Sequence, residues 1–456
     1  MNSTSAMPPV GNERNRRLSI GFLNWAHALD HFVILIFPTV VIGLEIVYAR
    51  PYGELIALST ASFVAFGVFS LPAGWLADRW SRRNMMGAFY IGCGLSLAGA
   101  ALAPNLIMLA VALFALGVFA AIYHPVGMAM LIDLSQARGR TLAFNGVCGN
   151  VGAALAAGIT AALASWLGWR AAFVIPGVVC VATGVAFLVI VPDDRHRAGT
   201  RKSEADVSFS ARVALMMFAL YVVISICGGL TFNTVAIALP KLVDERLGGN
   251  VTLLAVGGLT TAVFLCGVLA QIVMGRLVEW ITPIKLFAIV VSVQFLGLFW
   301  AANATGMTLV GALALTMAAI YGQVTVGDIV IARYTADAWR GRIYAVRYFL
   351  TFVSSGAAVS AIAFLHSRGG FDLVLTMIAA CAAVLLVAVL GFVGLVSTAE
   401  TTVGAARRMS AGTPCGNRMA MRDQASLAIR CLIGAPVLSC MISARRRRWH
   451  CAGARS

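Results

Sequence analysis

The sequence predicts an all-α membrane protein with twelve transmembrane helices in two pseudo-symmetric six-helix bundles. Of its 456 residues, 60% are hydrophobic and only 11% charged, whereas soluble domains carry roughly 25% charged residues. The apolar residues are gathered into twelve segments, and motifs of the first half recur in the second. A water-soluble globule is therefore excluded.

Charged residues, prolines and glycines divide the chain into the twelve segments, each near or above the about 20 residues that cross a bilayer. They cover residues 18–46, 54–77, 85–104, 106–133, 141–167, 169–191, 211–238, 252–279, 283–302, 305–332, 343–366 and 371–397. The longest polar connection follows the sixth. We therefore expect a cytoplasmic N-terminal segment (1–17), a first bundle (18–191), a cytoplasmic linker (192–210), a second bundle (211–397) and a basic tail (398–456).

The first apolar run follows Arg17 and extends for about 30 residues, whereas the apolar part of a signal peptide has only about 7–15 residues. It is therefore interpreted as the first transmembrane helix. The tail lacks helical periodicity, and we expect it to be disordered. As a polybasic segment it could bind anionic lipid; alternatively, it is a shifted reading frame without selected structure.

Lysines and arginines give the orientation, because cytoplasmic loops hold an excess of them. With the N-terminus inside, the inner segments before the tail carry 18 basic residues and the outer loops 5. This predicts an inner-membrane protein with both termini in the cytoplasm. The net charge of +16 is spread over loops and tail, not gathered on a solvated domain, so nucleic acid is not expected as a partner.

Two motifs recur at nearly one offset. The sequence Gly-Trp-Leu-Ala-Asp at 74–78 returns as Gly-Arg-Leu-Val-Glu at 275–279, and Arg-Gly-Arg at 138–140 returns at 340–342, offsets of 201 and 202 residues. Such a parallel repeat of a six-helix unit is typical of one large class of transporters. Chance recurrence in basic loops is the alternative.

The loop Gly-Trp-Leu-Ala-Asp-Arg-Trp-Ser-Arg-Arg at 74–83 resembles the signature of the major facilitator superfamily, with Ser81 in place of the frequent Gly. The resemblance covers residues 18–397. His124-Pro125 in helix 4, with His27 and Asp30 in helix 1, resembles the fosmidomycin-resistance-like branch. The resemblance implies a secondary transporter with a central cavity, commonly a proton-driven exporter that alternates between two open states.

The loop signature also has a direct physical interpretation. Gly74 permits close helix packing, and Asp78 at a helix end can pair with Arg82 or Arg83 and so close the cytoplasmic side in one state. We therefore assign a gating role to Gly74, Asp78, Arg79, Arg82 and Arg83. The alternative, in which the arginines only fix topology, explains Arg79 and Arg83 equally well.

Ionisable residues inside a membrane are candidates for function by default. Asp30 lies near the middle of helix 1, His27 and His31 share its side of that helix, and His124 lies at similar depth in helix 4. A carboxyl group beside imidazoles, which titrate near physiological pH, can carry a proton. Asp30, His27, His31 and His124 are therefore the candidates for proton coupling; the alternative is histidines that only pack, which we favour for His31 alone. Pro125 predicts a kink in helix 4.

The second half contributes a predicted ion pair between Asp328 in helix 10 and Arg347 in helix 11, which would satisfy both charges. Structural or gating use and substrate contact remain open for this pair. Neutral polar residues form a pool of candidates for the substrate cavity: Asn24, Asn145, Asn233, Tyr321 and Gln323.

The sequence thus predicts a secondary transporter, with proton-coupled export (efflux) of small organic molecules or drugs by alternating access. Proton-coupled import of a small organic acid is the alternative, and a non-transporting receptor or scaffold is the alternative from another class. An enzyme is not expected, because the loops carry no nucleophile, metal-ligand or phosphate-binding pattern. We expect no cofactor and no metal. The expected partners are the lipid bilayer, protons and a small-molecule substrate, and the expected state is a monomer.

Overall fold

The computed structural model of the protein describes residues 10–135, 138–192, 211–247, 251–335 and 337–411. Its first part, here the N half, consists of eleven helical elements. These are α1 (Val10–Ile34), α2 (Ile36–Tyr48), α3 (Tyr52–Ala57), α4 (Thr60–Val68), α5 (Ser70–Arg79), α6 (Arg82–Leu102), α7 (Leu106–Ala120), a π-turn (Tyr123–Gly127), α8 (Met128–Leu134), α9 (Arg138–Leu167) and α10 (Ala171–Ile190).

The second part, here the C half, consists of five helices. These are α11 (Ala211–Arg246), α12 (Leu253–Trp280), α13 (Pro283–Asn303), α14 (Gly306–Tyr334) and α15 (Asp337–Ala411). Helix α15 is interrupted at Gly369 and Gly370, and Gly370 has a φ of 59°. That left-handed conformation suits glycine, so the chain reverses there between two helical segments.

Ten helical stretches of the described residues are long and apolar enough to span a membrane, and α3 and α4 with α5 form an eleventh, bent by 43°. The last stretch, Phe349–Thr398, has 50 residues, about 75 Å at 1.5 Å per residue. A bilayer core is only about 30 Å thick, so the break at Gly369 and Gly370 divides it into two spans. All twelve predicted segments are then present as helix.

Corresponding helices of the two halves have corresponding neighbours. Helix α1 packs on α9 and α6 on α10, while α11 and α13 both pack on α15. Between the halves, α9 packs on α12 and α4 on α15. The structure thus has the all-helical architecture with a repeated unit that the sequence predicts.

The first predicted segment, 18–46, differs from the structure in two ways: the helix begins earlier, and it is broken in two. Helix α1 begins at Val10, not at residue 18, because Glu13 pairs with Arg16 at 2.7 Å and with Arg17 at 3.0 Å across one helical turn. The helix then breaks at Leu35, three residues before Pro38. Proline cannot donate the hydrogen bond that would continue the first helix into the second.

Two predicted helix ends are too early. Helix α11 continues through Pro240 to Arg246, whereas the sequence predicts an end at 238, and α15 continues to Ala411, beyond the predicted end at 397. The predicted linker, from residue 193 onwards, and the tail beyond 411 lie outside the described residues.

Four polar contacts of the described residues join the two halves. Lys241 pairs with Glu45, Ser355 donates to the Phe63 carbonyl at 3.2 Å, Thr261 accepts from the Gly158 backbone at 3.1 Å, and Asn150 donates to Gln271 at 2.5 Å. They extend from the middle of the bundle to the end where Glu45 lies. We call this the Glu45 end and the opposite one, with Asp78 and Arg82, the Asp78 end.

A candidate proton site and its polar surroundings

The candidate proton site is built on two helices that are both locally irregular. Helix α1 carries His27, Asp30 and His31 just before its break at Leu35. The π-turn, which contains Pro125, carries His124. A π-turn inserts an extra residue and is frequent at functional sites, and Pro125 removes one backbone donor there. Helix 4 is therefore irregular at the position where the sequence predicts a kink.

Asp30 is the most secluded charged residue of the site. Its side chain has no exposed surface, and its Oδ2 lies 3.4 Å from Nε2 of His124. Neither carboxyl oxygen accepts a hydrogen bond from the described residues. An ionised carboxylate in this position is stable only when a nearby group carries the opposite charge. His124 can supply that charge when it is protonated.

His27 forms a second set of contacts beside this pair. Its Nδ1 lies 2.8 Å from the backbone oxygen of Asn145 and 2.9 Å from that residue's Oδ1, and its Nε2 lies 3.2 Å from Nε2 of His31. The ring of Tyr123 stacks on His27 with a centroid distance of 4.7 Å. The Tyr123 hydroxyl donates to Asn145 Oδ1 at 3.0 Å.

Small residues on α9 make these contacts possible. A Cβ at Gly149 would lie 2.6 Å from His27 Nε2, and a Cβ at Gly152 would lie 2.0 Å from the carbonyl oxygen of Ala28. Any side chain at either position would push α9 away from α1. The close approach places Asn145 against His27, which the sequence alone does not reveal.

The cluster touches the C half through aromatic rings. The ring of His124 lies 4.6 Å from that of Phe352 on α15, and Phe352 in turn lies 5.0 Å from Phe66 on α4. Phe352 and Tyr123 are members of the site that the sequence analysis missed, because aromatic residues are common on every apolar helix. The site therefore lies where the halves meet.

The three imidazoles are also close enough to be considered as metal ligands. Nitrogen atoms of His27, His31 and His124 lie within 4.8 Å of one another. In the present arrangement the nitrogens of His27 and His31 face each other, and Nε2 of His124 faces Asp30. The lone pairs are directed at partners within the cluster instead of at one shared ion, which suits protons better than a metal.

In the C half, Arg347 pairs with Asp328, and its Nη2 donates to the Val324 carbonyl at 3.2 Å. The Arg347 side chain is 14% exposed and that of Asp328 38%. The predicted partners are thus adjacent, and the charge of each is balanced by the other without the need for a proton.

The candidate substrate residues do not share one environment. Asn24 and Asn233 are half-buried, and Asn233 donates to the carbonyls of Gly229 and Thr351 at 2.8 and 3.2 Å. Gln323 is 8% exposed and lies against Gly228. These residues remain candidates for contact with a solute.

Two further candidates of that pool, Asn145 and Tyr321, are fully enclosed in this structure. Asn145 has no exposed surface and is a partner of His27, not a lining residue. Tyr321 is 2% exposed and lies against Gly267 and Phe232. Both side chains are enclosed by neighbouring helices, and a sequence pattern does not report which helix covers a residue.

The residues of the loop signature, which belong to the N half, also have their described contacts within that half. Arg82 bridges Asp78 at 3.0 Å and Asp133 at 2.7 Å. Gly74 lies against Pro125, since a Cβ at Gly74 would lie 3.3 Å from that ring.

The other two arginines of the loop have local partners. Arg79 lies over the ring of Trp75 at 4.1 Å. Arg83 donates to the carbonyls of Leu188 and Val191 at the end of α10, where unpaired carbonyls favour a cation. The described partners of all these arginines thus belong to the N half.

Lys241 is one of the five basic residues that the sequence assigns to outer loops. In the structure it lies instead on α11, where it is buried (7% exposed). It pairs with Glu45 across the halves, with Asp244 at 3.0 Å and with Glu245 at 3.6 Å. Glu245 also binds His366 at 3.0 Å. The sequence analysis did not predict this cluster at the Glu45 end, because it ended the helix at 238, before Lys241, Asp244 and Glu245.

Repeated helical halves with ionisable groups where they meet are typical of multi-pass membrane transporters. The sequence model of the Major Facilitator Superfamily matches residues 22–327. The chain belongs to this superfamily.

Solved structures of transporters share the fold. A D-xylose-proton symporter is similar with a TM-score of 0.69 at 14% identity, covering 82% of this chain and 97% of the symporter. A bacterial homolog of the human lysosomal transporter Spinster, inward-facing and occupied, has a TM-score of 0.66 at 13% identity, covering 87% of this chain and 96% of the homolog. At these identities the likeness concerns the fold alone.

One curated relative is similar in part of its sequence. The probable L-galactonate transporter of Escherichia coli (strain K12) is 26% identical over 145 residues, which are 31% of this chain and 32% of the relative. The chain thus matches about a third of the length of that relative. The fosmidomycin-resistance-like branch, which the helix 1 and helix 4 motifs resemble, is not among these similarities.

Proposed function

We propose that the protein is a proton-coupled secondary transporter of small organic molecules, and that Asp30 with His124 carries the coupling proton. The observation that supports this most is the complete burial of Asp30 with His124 Nε2 at 3.4 Å. His27 and His31 complete the site as a second imidazole pair. An intramembrane carboxyl group beside a histidine is the arrangement expected of a proton relay.

Electrostatics connects the proton to the conformation. One proton shared by the pair gives either a neutral carboxyl group beside a neutral imidazole, or a carboxylate beside an imidazolium, and both states are neutral overall. Loss of that proton leaves a buried carboxylate without a counter-charge, which burial strongly disfavours. Release of the proton is therefore favoured only in a conformation that admits water to Asp30.

Alternating access supplies such conformations. With contacts at the Glu45 end, including Lys241 with Glu45, the halves can separate at the Asp78 end, and the reverse movement would break these contacts. We include the loop 74–83 as the gate of the Asp78 end, where Arg82 can exchange its partners Asp78 and Asp133. The Asp328 and Arg347 pair joins α14 to α15 within the C half, and we assign it a structural role there.

We further propose that the Asp78 end faces the cytoplasm and that the protein acts as a monomer in the inner membrane. The excess of lysine and arginine in the loops of that end supports this orientation. Both termini would then be cytoplasmic, and the present conformation would be inward-facing.

The direction of coupling has two candidates. Export of small organic molecules or drugs in exchange for protons is what the resemblance of the motifs in helices 1 and 4 implies. Import of a small organic acid together with a proton is the second candidate, favoured by the similarity to a probable L-galactonate transporter. The half-buried amides Asn24 and Asn233 suit a solute with hydroxyl groups in either direction.

Flux in proteoliposomes tests the proposal. The purified protein is reconstituted, a pH gradient of either sign is imposed, and uptake is measured for a panel of sugar acids, neutral sugars and lipophilic cations. We expect at least one solute to accumulate against its gradient in one direction of the pH gradient, and accumulation to vanish with a protonophore. The sign of the effective gradient then separates exchange from co-transport.

Equal flux with and without the gradient would contradict proton coupling while leaving a transporter. No flux of any solute in the panel, with the protein folded by its thermal transition, would favour the receptor or scaffold alternative.

A further inference from the structure

Asn145 has contacts that restrict where the hydrogens of the neighbouring histidines lie. His27 Nδ1 lies 2.8 Å from the backbone oxygen of Asn145. A backbone carbonyl can only accept a hydrogen bond, so this nitrogen must carry the hydrogen. Neutral His27 therefore has its lone pair on Nε2.

The side-chain amide of Asn145 has a defined orientation for the same reason. Its Nδ2 faces the carbonyl oxygen of Leu23 at 3.4 Å and Oδ1 of Asn24 at 3.0 Å. The opposite orientation would direct Oδ1 at the Leu23 carbonyl, where two acceptors would repel. Asn145 Oδ1 is thus left to accept from His27 Nδ1 at 2.9 Å and from the Tyr123 hydroxyl at 3.0 Å.

The lone pair of His27 then determines the state of His31. The two Nε2 atoms lie 3.2 Å apart, and a hydrogen bond between them needs one hydrogen. Because His27 Nε2 has none, His31 Nε2 must supply it. Hydrogen bonds therefore lead in one direction, from His31 to His27 and on to Asn145.

We propose that Asn145 is a positioning residue that makes His27 the imidazole receiving a proton and His31 the imidazole delivering it. This inference rests on the proposed function, in which Asp30 with His124 carries the coupling proton and His27 with His31 completes the site. A proton that binds Nδ1 of His31 allows the Nε2–H bond of His31 to break and a new N–H bond to form on His27 Nε2. His31 is then neutral, and the charge lies on His27, whose Nδ1–H faces two oxygens of Asn145.

The other groups around His27 do not compete with Asn145 for the hydrogen on Nδ1, so the direction of proton transfer from His31 to His27 is unchanged. Its own helix presents Asp30 one turn away as well as His31, the π-turn presents Tyr123 and His124, and α9 presents Asn145 with Gly149, which does not titrate. Tyr123 donates its hydroxyl to Asn145, and His124 faces Asp30. Asn145 contacts His27 Nδ1 with two acceptor atoms at once.

The tautomer can be observed directly. Solid-state NMR of the full-length protein labelled with ¹⁵N-histidine in lipid distinguishes an imidazole protonated at Nδ1 from one protonated at Nε2, and the spectrum of His27→Gln assigns the His27 signals. We expect neutral His27 to carry its hydrogen on Nδ1 and neutral His31 on Nε2. A predominant Nε2–H form of His27 would overturn the inference.

Transport gives a second readout that a merely structural residue would not produce. A carboxylate about 3 Å from His27 favours its charged form, so Asn145→Asp should shift the pH profile of proton-driven flux upward by about one unit. Asn145→Leu removes one of the two acceptors and should shift the profile downward. Asn303→Asp makes the same change of group at the surface, where Asn303 donates to the Phe299 carbonyl, and should leave the profile unchanged.

Shifts of the two Asn145 variants in the same direction, or equal to that of Asn303→Asp, would contradict the assignment. If Asn145→Leu fails to fold, the NMR result on the unsubstituted protein still decides the tautomer. An Nδ1–H form of His27 in a protein whose flux is insensitive to pH would overturn the proposed function while supporting the position of Asn145.

Discussion

The two halves of the molecule repeat one helical unit, yet they treat buried charge differently. In the C half, Asp328 is balanced by the permanent charge of Arg347. In the N half, Asp30 is completely buried and its ion-pair partner is His124, which is charged only when it binds a proton. The charge of Asp328 is thus neutralised by Arg347 at any physiological pH. The charge of Asp30 is neutralised only while the Asp30 and His124 pair holds a proton.

This difference indicates that proton coupling belongs to the N half and that the Asp328 and Arg347 pair of the C half has a structural role. A pair with permanent opposite charges holds two helices together at every pH. In a pair that needs a proton for neutrality, the net charge changes when the proton leaves. Removal of a carboxylate should therefore have opposite consequences in the two halves.

The largest expected effect on stability is that of Asp328→Asn. Removing one partner of a buried ion pair costs roughly 3–5 kcal/mol; because the Asp328 side chain is 38% exposed, solvent screening lowers our expectation to about 2 kcal/mol. The thermal transition in detergent should fall by about 2 °C. The double variant Asp328→Asn with Arg347→Gln, which removes both charges, should recover most of it. No recovery in the double variant would mean that the pair is not what stabilises these helices.

An intermediate effect is expected at the contact that joins the halves. Lys241→Gln removes the counter-charge of Glu45, Asp244 and Glu245, and should favour separation at the Glu45 end by about 1 kcal/mol, or roughly fivefold in population. The measurement is the rate at which a thiol reagent labels Ser355→Cys in a cysteine-free background, because Ser355 lies in the contact with Phe63. More frequent separation of the halves should raise this labelling rate.

The matched control is Arg50→Gln, because Arg50 pairs with Glu54 at 3.3 Å on the exposed surface of the N half alone. Its labelling rate should equal that of the unsubstituted chain. Equal rates for Lys241→Gln and Arg50→Gln would remove Lys241 from the closing contact.

The smallest change in stability is expected for Asp30→Asn. This substitution removes a carboxyl group that accepts no hydrogen bond from the described residues and introduces a neutral group of nearly the same shape. The thermal transition should stay within about 1 °C of the unsubstituted protein or rise. A fall as large as that of Asp328→Asn would mean that both carboxylates stabilise the fold to the same extent.

Much of the fold follows from composition and the lengths of the apolar runs. The twelve segments are recognisable because each crossing of a bilayer needs a fixed length of apolar helix. Helix ends are less predictable: the predicted segment ends at 238, but α11 continues through Pro240 and places Lys241 inside the bundle. Proline only weakens a helix locally, and the ion pairs of Lys241 stabilise its continuation.

The charged members of the site could be found in the sequence, because Asp30, His27, His31 and His124 stand out on apolar helices. Their partners could not. Asn145 lies opposite His27 because α9 packs closely on α1 at Gly149 and Gly152, and the register between two helices depends on packing that no pattern within one helix reports.

The central claim is that Asp30 carries the coupling proton, and the ratio of protons to solute tests it most directly. Proteoliposomes containing a pH indicator are loaded with the transported solute, and solute flux and internal pH are recorded together for the unsubstituted protein and for Asp30→Asn. We expect the unsubstituted protein to move protons with the solute, and Asp30→Asn to exchange solute across the membrane without a change in pH. Proton movement by Asp30→Asn at the unsubstituted ratio would contradict the claim.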